Sequence, residues 1–135
     1  MKSLITGALL GAMLALPIQA IASEDTTALK TRLQASMQRE VDRRLVEGAL
    51  IKMDFETGAT VAFYPVEAHA MILQLGDSGD QFVLCSDLKS VDGKSTTVDY
   101  YMARNGNRYT IFHTAIGNRA PLKKLMKEGK AKHLK

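Results

Sequence analysis

The side chains that could do covalent chemistry are few, and they are scattered along the sequence. Cys85 is the only thiol; His69, His113 and His133 are the only imidazoles. A nucleophilic arrangement would need Cys85 activated by His113 or His69, with Asp87 or Asp99 orienting the base. Nothing beside Cys85 promotes that: the flanking residues offer neither a helix N-terminus nor a glycine-rich turn to stabilise a thiolate. Cys85 lies in the run Gln81 to Leu88, where Phe82 and Leu84 alternate with Val83, and the expected place for it is inside a strand. No Gly-x-Ser-x-Gly elbow is present.

Metal and cofactor chemistry is equally thin. No two histidines share a helix face, and Asp77-Ser78-Gly79-Asp80 supplies too few ligands for a calcium loop. There is no Gly-x-Gly-x-x-Gly after a strand and no Gly-Lys-Ser/Thr loop. The expectation is no metal, no cofactor and no nucleic acid.

The remaining polar groups of interest sit on one hairpin. Val98 to Ala115 forms two alternating runs that meet at Asn105-Gly106, a pair that accepts the positive φ of a two-residue loop. Pairing Arg104 with Asn107 sets Met102 opposite Tyr109, Tyr100 opposite Ile111 and Val98 opposite His113. Tyr100, Tyr109 and His113 then share an apolar face, where they could line a small-ligand pocket. The other reading of His113 is a half-buried imidazole bonded to a neighbour. Asp99, Arg108, Thr110 and Thr114 fall on the opposite face with Tyr101 and Phe112, two aromatics that either form a contact surface or are covered by a terminal helix.

Elements upstream and downstream must position this hairpin. Leu29, Leu33, Met37, Val41 and Leu45 recur every fourth residue, predicting a helix capped within Ser23 to Thr27 and running to about Glu47, whose apolar stripe slants across a sheet. Lys30, Gln34, Gln38 and Arg39 form its polar side, with Glu40, Asp42, Arg43 and Arg44 close by. From Ala49 the period falls to two. Strands are expected over Ala49 to Glu56 and Thr60 to Tyr64, the second stopped by Pro65 or made an edge by it, then over Glu67 to Leu75 and Gln81 to Leu88, before the Asn-Gly hairpin. Short links imply antiparallel neighbours. After Gly117 a short helix can start near Pro121 and close at Gly129, with Leu122, Leu125 and Met126 inward. The expected fold is α+β: a long N-terminal helix packed on a curved antiparallel meander of about six strands, followed by a short C-terminal helix.

Residues 1–22 read as a signal peptide. Lys2 supplies a positive charge, Leu4 to Leu16 is an apolar run, and Ala20-Ile21-Ala22 is a small-x-small cleavage pattern. The run is shorter than the roughly 20 residues a spanning helix needs, so the expectation is an exported protein, periplasmic or secreted, not integral to the membrane. The mature chain, 23–135, suits one domain. One thiol cannot make an internal disulfide, so packing must hold the fold.

The formal net charge is +4, and its distribution is uneven. Arg119, Lys123, Lys124, Lys127, Lys130 and Lys132 crowd the C-terminal end, which reads as a basic tail from about residue 130. Outside the cytoplasm such an end meets a protein or an anionic envelope component. The sequence therefore points to a non-catalytic binding or adaptor protein that uses a sheet face or its basic end. The alternatives are a small enzyme built on Cys85 and His113, or an assembly subunit that pairs through a strand edge or through Cys85.

Overall fold

The computed structural model describes residues 25–135; the expected leader lies outside that range. Two helices and six strands follow in order: α1 (Thr26–Asp42), β1 (Leu50–Met53), β2 (Thr60–Leu75), β3 (Gln81–Ser90), β4 (Ser95–Asn105), β5 (Arg108–Ile116), α2 (Ala120–Lys127) and β6 (Ala131–His133). All pairings are antiparallel. The sheet runs β1-β2-β3-β4-β5 as a meander, and β6 returns to pair with β2. The class is α+β. Among the described residues no helix is long and apolar enough to cross a membrane.

The sheet carries one helix on each face. The four-residue stripe of α1 puts Leu33, Met37 and Val41 against Phe82, Leu84, Leu88, Val98, Tyr100 and Met102. Leu122 of α2 packs on the other face with Leu73, Val83, Cys85 and Tyr101. β3 alternates between these two cores, so both sets of its side chains are buried, as a central strand requires.

α1 begins where Asp25 accepts a hydrogen bond from the Thr27 backbone N–H. It ends five residues sooner than the periodicity predicts. The chain reverses at Glu47 and Gly48, both at positive φ, and Val46 and Ala49 exchange backbone hydrogen bonds of 2.8 and 3.1 Å across the reversal. That two-residue loop needs the freedom of glycine and takes the last turn away from the helix.

The strand count of six is reached differently from the expectation. Pro65 does not stop a strand: Thr60–Leu75 is one long strand with irregular register at Pro65/Glu67 and Ala68/Ile72. The bulges absorb the missing proline donor. The sixth strand comes instead from the supposed basic tail, since Leu73, Gln74 and Leu75 pair with His133, Lys132 and Ala131. Leu134 adds its N–H to the Ile72 carbonyl at 2.9 Å and packs against the first core. The C-terminal end is part of the sheet.

Candidate functional site

The β4–β5 hairpin forms where the sequence places it, but with another register. Asn105 pairs with Arg108 and Met102 with Ile111, so Gly106 and Asn107 are the loop residues. Gly106 has φ +61° and Asn107 a negative φ, the pattern of a loop that needs glycine only at its first central position. A shift of two keeps side-chain parity, and Val98, Tyr100, Met102, Tyr109 and Ile111 stay together on the α1 face. Phe112 then bulges, because Tyr101 pairs with His113 while Met102 pairs with Ile111. One extra residue flips everything beyond it.

His113 therefore leaves the face assigned to it. Its ring lies 5.3 Å from that of Tyr101, on the α2 side. Tyr100 is buried under α1 and accepts a 3.4 Å hydrogen bond from Ser86 Oγ; burial raises its phenol pKa. Tyr109 is packed edge-on to Phe82, with Arg104 Nη2 donating to its hydroxyl at 3.0 Å. Tyr100, Tyr109 and His113 are not gathered around one space. Thr114, moved to the α1 face by the same bulge, lines a different cavity described below.

Cys85 is fully buried, and its surroundings oppose a thiolate. Arg119 Nη2 donates to its Sγ at 3.4 Å, while Asp99 is its cross-strand neighbour. Burial and the Asp99 carboxylate push the thiol pKa up to about 12. Asp99 and Arg119, rather than an imidazole, are the groups beside the sulfur. His69 Nε2 does meet Asp87 Oδ1 at 2.9 Å, but among the described residues Cys85 makes no hydrogen bond to His69.

Arg119, expected on a basic surface, is an anchor. Its Nε donates to both Asp99 oxygens at 3.2 Å and its Nη2 reaches Oδ1 at 3.0 Å. Asp99 is 0% exposed and Arg119 precedes α2 directly, so the pair ties the start of that helix to the sheet. The Asp99 bond raises the Arg119 pKa further. The lysines are also partly engaged: Lys130 meets Glu128 at 2.7 Å, Lys124 meets Glu128 at 4.0 Å and Lys132 meets Asp77 at 3.5 Å. Among the expected contact residues, Lys123 and Lys127 are the two with no charge partner in the described residues.

What the sequence did not signal is how α1 meets the last strand of the meander. Glu40 Oε2 accepts from Thr110 Oγ1 at 3.0 Å and from the Ile111 N–H at 3.4 Å. Arg44 donates to the Ile111 carbonyl at 3.0 Å and Arg32 to the Asn107 carbonyl at 3.3 Å. Glu40 and Arg44 thereby occupy the Ile111 backbone groups that β5 would otherwise present on an open edge, and Arg32 holds the loop just before it. Burial works to raise the Glu40 pKa, but the Thr110 and Ile111 hydrogen bonds, with the charges of Arg44 and Arg43, outweigh it and hold the carboxyl below its ordinary value.

Beyond the end of α1, the first and last strands of the meander converge. Lys52 Nζ on β1 donates to the Ile116 carbonyl on β5 at 3.3 Å, which requires the sheet to bend. Between the two strands lies a trough of about 500 Å³, lined by Arg44, Leu50, Ile51, Lys52, Met53, Phe55, Thr114 and Ile116. Its wall is mainly apolar. Phe55, on the turn after β1, is 90% exposed at its rim, and Ile51 and Met53 are also exposed. No family model, no curated protein and no solved structure matches this chain.

Proposed function

We propose that this is a small exported, non-catalytic binding protein, and that the trough between β1 and β5 takes the apolar part of an anionic amphiphile. The trough carries the proposal: its volume falls in the range typical of small-molecule sites, and apolar side chains form most of its wall. Lys52 and Arg44 supply the charge complementarity. Arg44 is offset by Glu40 at 3.4 Å, whereas Lys52 donates to a neutral carbonyl and, among the described residues, has no carboxylate at bonding distance, Asp54 acting on it only at longer range. An anionic headgroup beside Lys52 would meet an ammonium whose charge no carboxylate at bonding distance cancels, while the tail covers Ile51, Met53 and Phe55.

A non-catalytic role is supported by the state of Cys85, whose thiol is suppressed rather than activated. Export is supported by the leader pattern of residues 1–22. N-terminal sequencing of the protein recovered from an envelope extract is expected to begin at Ser23; recovery of intact Met1 in that fraction would refute cleavage.

The binding reading is tested with anilinonaphthalene sulfonate, an apolar probe that carries one negative charge. Saturable binding of one probe per chain is expected, weakened about tenfold or more in Met53→Asp and severalfold in Lys52→Gln. Both side chains are exposed, so the urea midpoint of each variant should match the parent. Absence of a saturable site, or equal binding by Met53→Asp, would defeat the reading.

A further inference from the structure

Six of the seven arginines converge on the seam between α1 and the β4–β5 turn. Arg32 and Arg104 lie 5.6 and 5.5 Å from the centre of the Tyr109 ring. Arg43 and Arg44 share Glu40, and Arg104 is paired with Asp80 at 3.1 Å. This is a second positive pole, remote in sequence from the lysine-rich end and made of guanidinium groups. That difference matters, because a guanidinium offers a planar fork matched to carboxylate and phosphate oxygens.

Within the seam is a recess of about 310 Å³ lined by Ser36, Arg39, Glu40, Arg43, Arg108 and Tyr109. Glu40 is already committed on both oxygens, to Arg43 on one and to Thr110, Ile111 and Arg44 on the other. Arg39 bonds only a neutral hydroxyl, donating to Ser36 Oγ at 3.2 Å, and Ser36 is itself buried. Arg108 has no carboxylate partner among the described residues. Arg39 and Arg108, neither with a carboxylate at bonding distance among the described residues, thus line one polar recess beside a buried hydroxyl, and its one carboxylate, Glu40, is engaged elsewhere. Like charges held together without a counterion are unfavourable, and a ligand with two charges and several oxygens would relieve both.

We propose that this recess binds a phosphoryl group, with Arg39 and Arg108 as its forks and Arg43 as the outer wall. A carboxylate has one charge and two oxygens and would satisfy one fork. A phosphoryl group has between one and two charges near neutral pH and three acceptor oxygens, enough for both. The site is separate from the apolar trough, and its occupancy does not depend on that reading.

The test titrates the protein with inorganic phosphate at constant ionic strength, following arginine side-chain Nε–H signals, with acetate as control. Vesicles of phosphatidic acid, whose phosphomonoester headgroup keeps three terminal oxygens, and of phosphatidylcholine form a second arm. Saturable phosphate shifts at two or more arginine signals are expected, with binding weakened at least tenfold in Arg39→Gln and in Arg108→Gln. Lys123→Gln and Lys127→Gln should leave it unchanged, which separates a built site from general positive charge. Sedimentation with phosphatidic acid vesicles that requires Arg108 would assign the phosphoryl group to a lipid headgroup; phosphate binding without it would assign a soluble source. An acetate response equal to that of phosphate, equal losses in the lysine variants, or no saturable response would overturn the proposal. All four side chains are exposed, and unchanged far-ultraviolet circular dichroism confirms that each variant is folded.

Discussion

Replacing Arg119 by methionine keeps most of the side-chain stem and removes the charge that Asp99 faces. Asp99 is completely buried, and its two oxygens receive three contacts from this one guanidinium. Removing one partner of such a pair leaves an uncompensated charge inside the protein, at a cost of about 3–5 kcal/mol. Arg119 is 32% exposed, so water reaches one side of the pair and the lower end, about 3 kcal/mol, is expected. For a domain of this size that is a large part of a total stability of about 5–15 kcal/mol. With a urea dependence of about 1–3 kcal/mol per molar, the unfolding midpoint of Arg119→Met should fall by about 1–3 M. The double variant Asp99→Asn with Arg119→Met buries no charge and should recover half or more of the loss. A midpoint shift under about 0.3 M in the single variant, or a double variant no more stable than it, would refute the idea that the pair fastens α2 to the sheet.

Three further outcomes follow from the same structure. An acid with pKa about 12 rather than 9.0 holds about a thousandfold less thiolate at pH 8, so iodoacetamide should label Cys85 at least that much more slowly in native protein than in urea; comparable rates would show the thiol to be accessible. Because the folded-state pKa of Glu40 is depressed, its contribution to stability is present above its ordinary value of 4.5 and lost as pH falls through the folded value; acid titration of stability should be shallower in Glu40→Gln, and identical curves would contradict the sealed β5 edge. Deleting residues 130–135 removes β6, the buried Ala131 and the Leu134 contact, and should cost about 2–4 kcal/mol by urea unfolding; unchanged stability would show β6 to be dispensable.

The parts of the fold that were readable from sequence are those set by local periodicity. The four-residue stripe of α1 places Leu33, Met37 and Val41 inward as expected, and the short links do give antiparallel neighbours. Leu122 does cover Tyr101, although Phe112 remains exposed. What failed depends on contacts distant in sequence. Asn105-Gly106-Asn107 can close a two-residue loop in two ways that keep the same side-chain parity, so alternation alone does not choose between them. The Phe112 bulge leaves no mark in composition, yet it decides that His113 and Thr114 exchange faces. Lysine at 130 and 132 looks like a tail because alternation over Ala131 to His133 is too short to register as a strand. Asp99 and Arg119 were individually visible as a polar strand residue and a basic end; their pairing across twenty residues was not. The trough between β1 and β5 and the recess on the α1–β5 seam are likewise products of tertiary closure, and the cue that could have found the second is the arginine bias of α1 and the hairpin tip against the lysine bias of the C-terminal end.

The way Arg32, Glu40 and Arg44 hold β5 gives α1 a part in colloidal behaviour as well as in packing. Among the described residues β5 has β4 on one side and no strand on the other. If α1 detaches while the meander persists, nine residues of backbone become a template onto which another chain can add. Fibril nucleation would then follow the population of a helix-detached state, which can be far larger than the population of fully unfolded chains. Substitutions that loosen α1, such as Leu33→Ala, would accordingly be felt first as a shortened lag before aggregation, and only afterwards as a lower melting temperature.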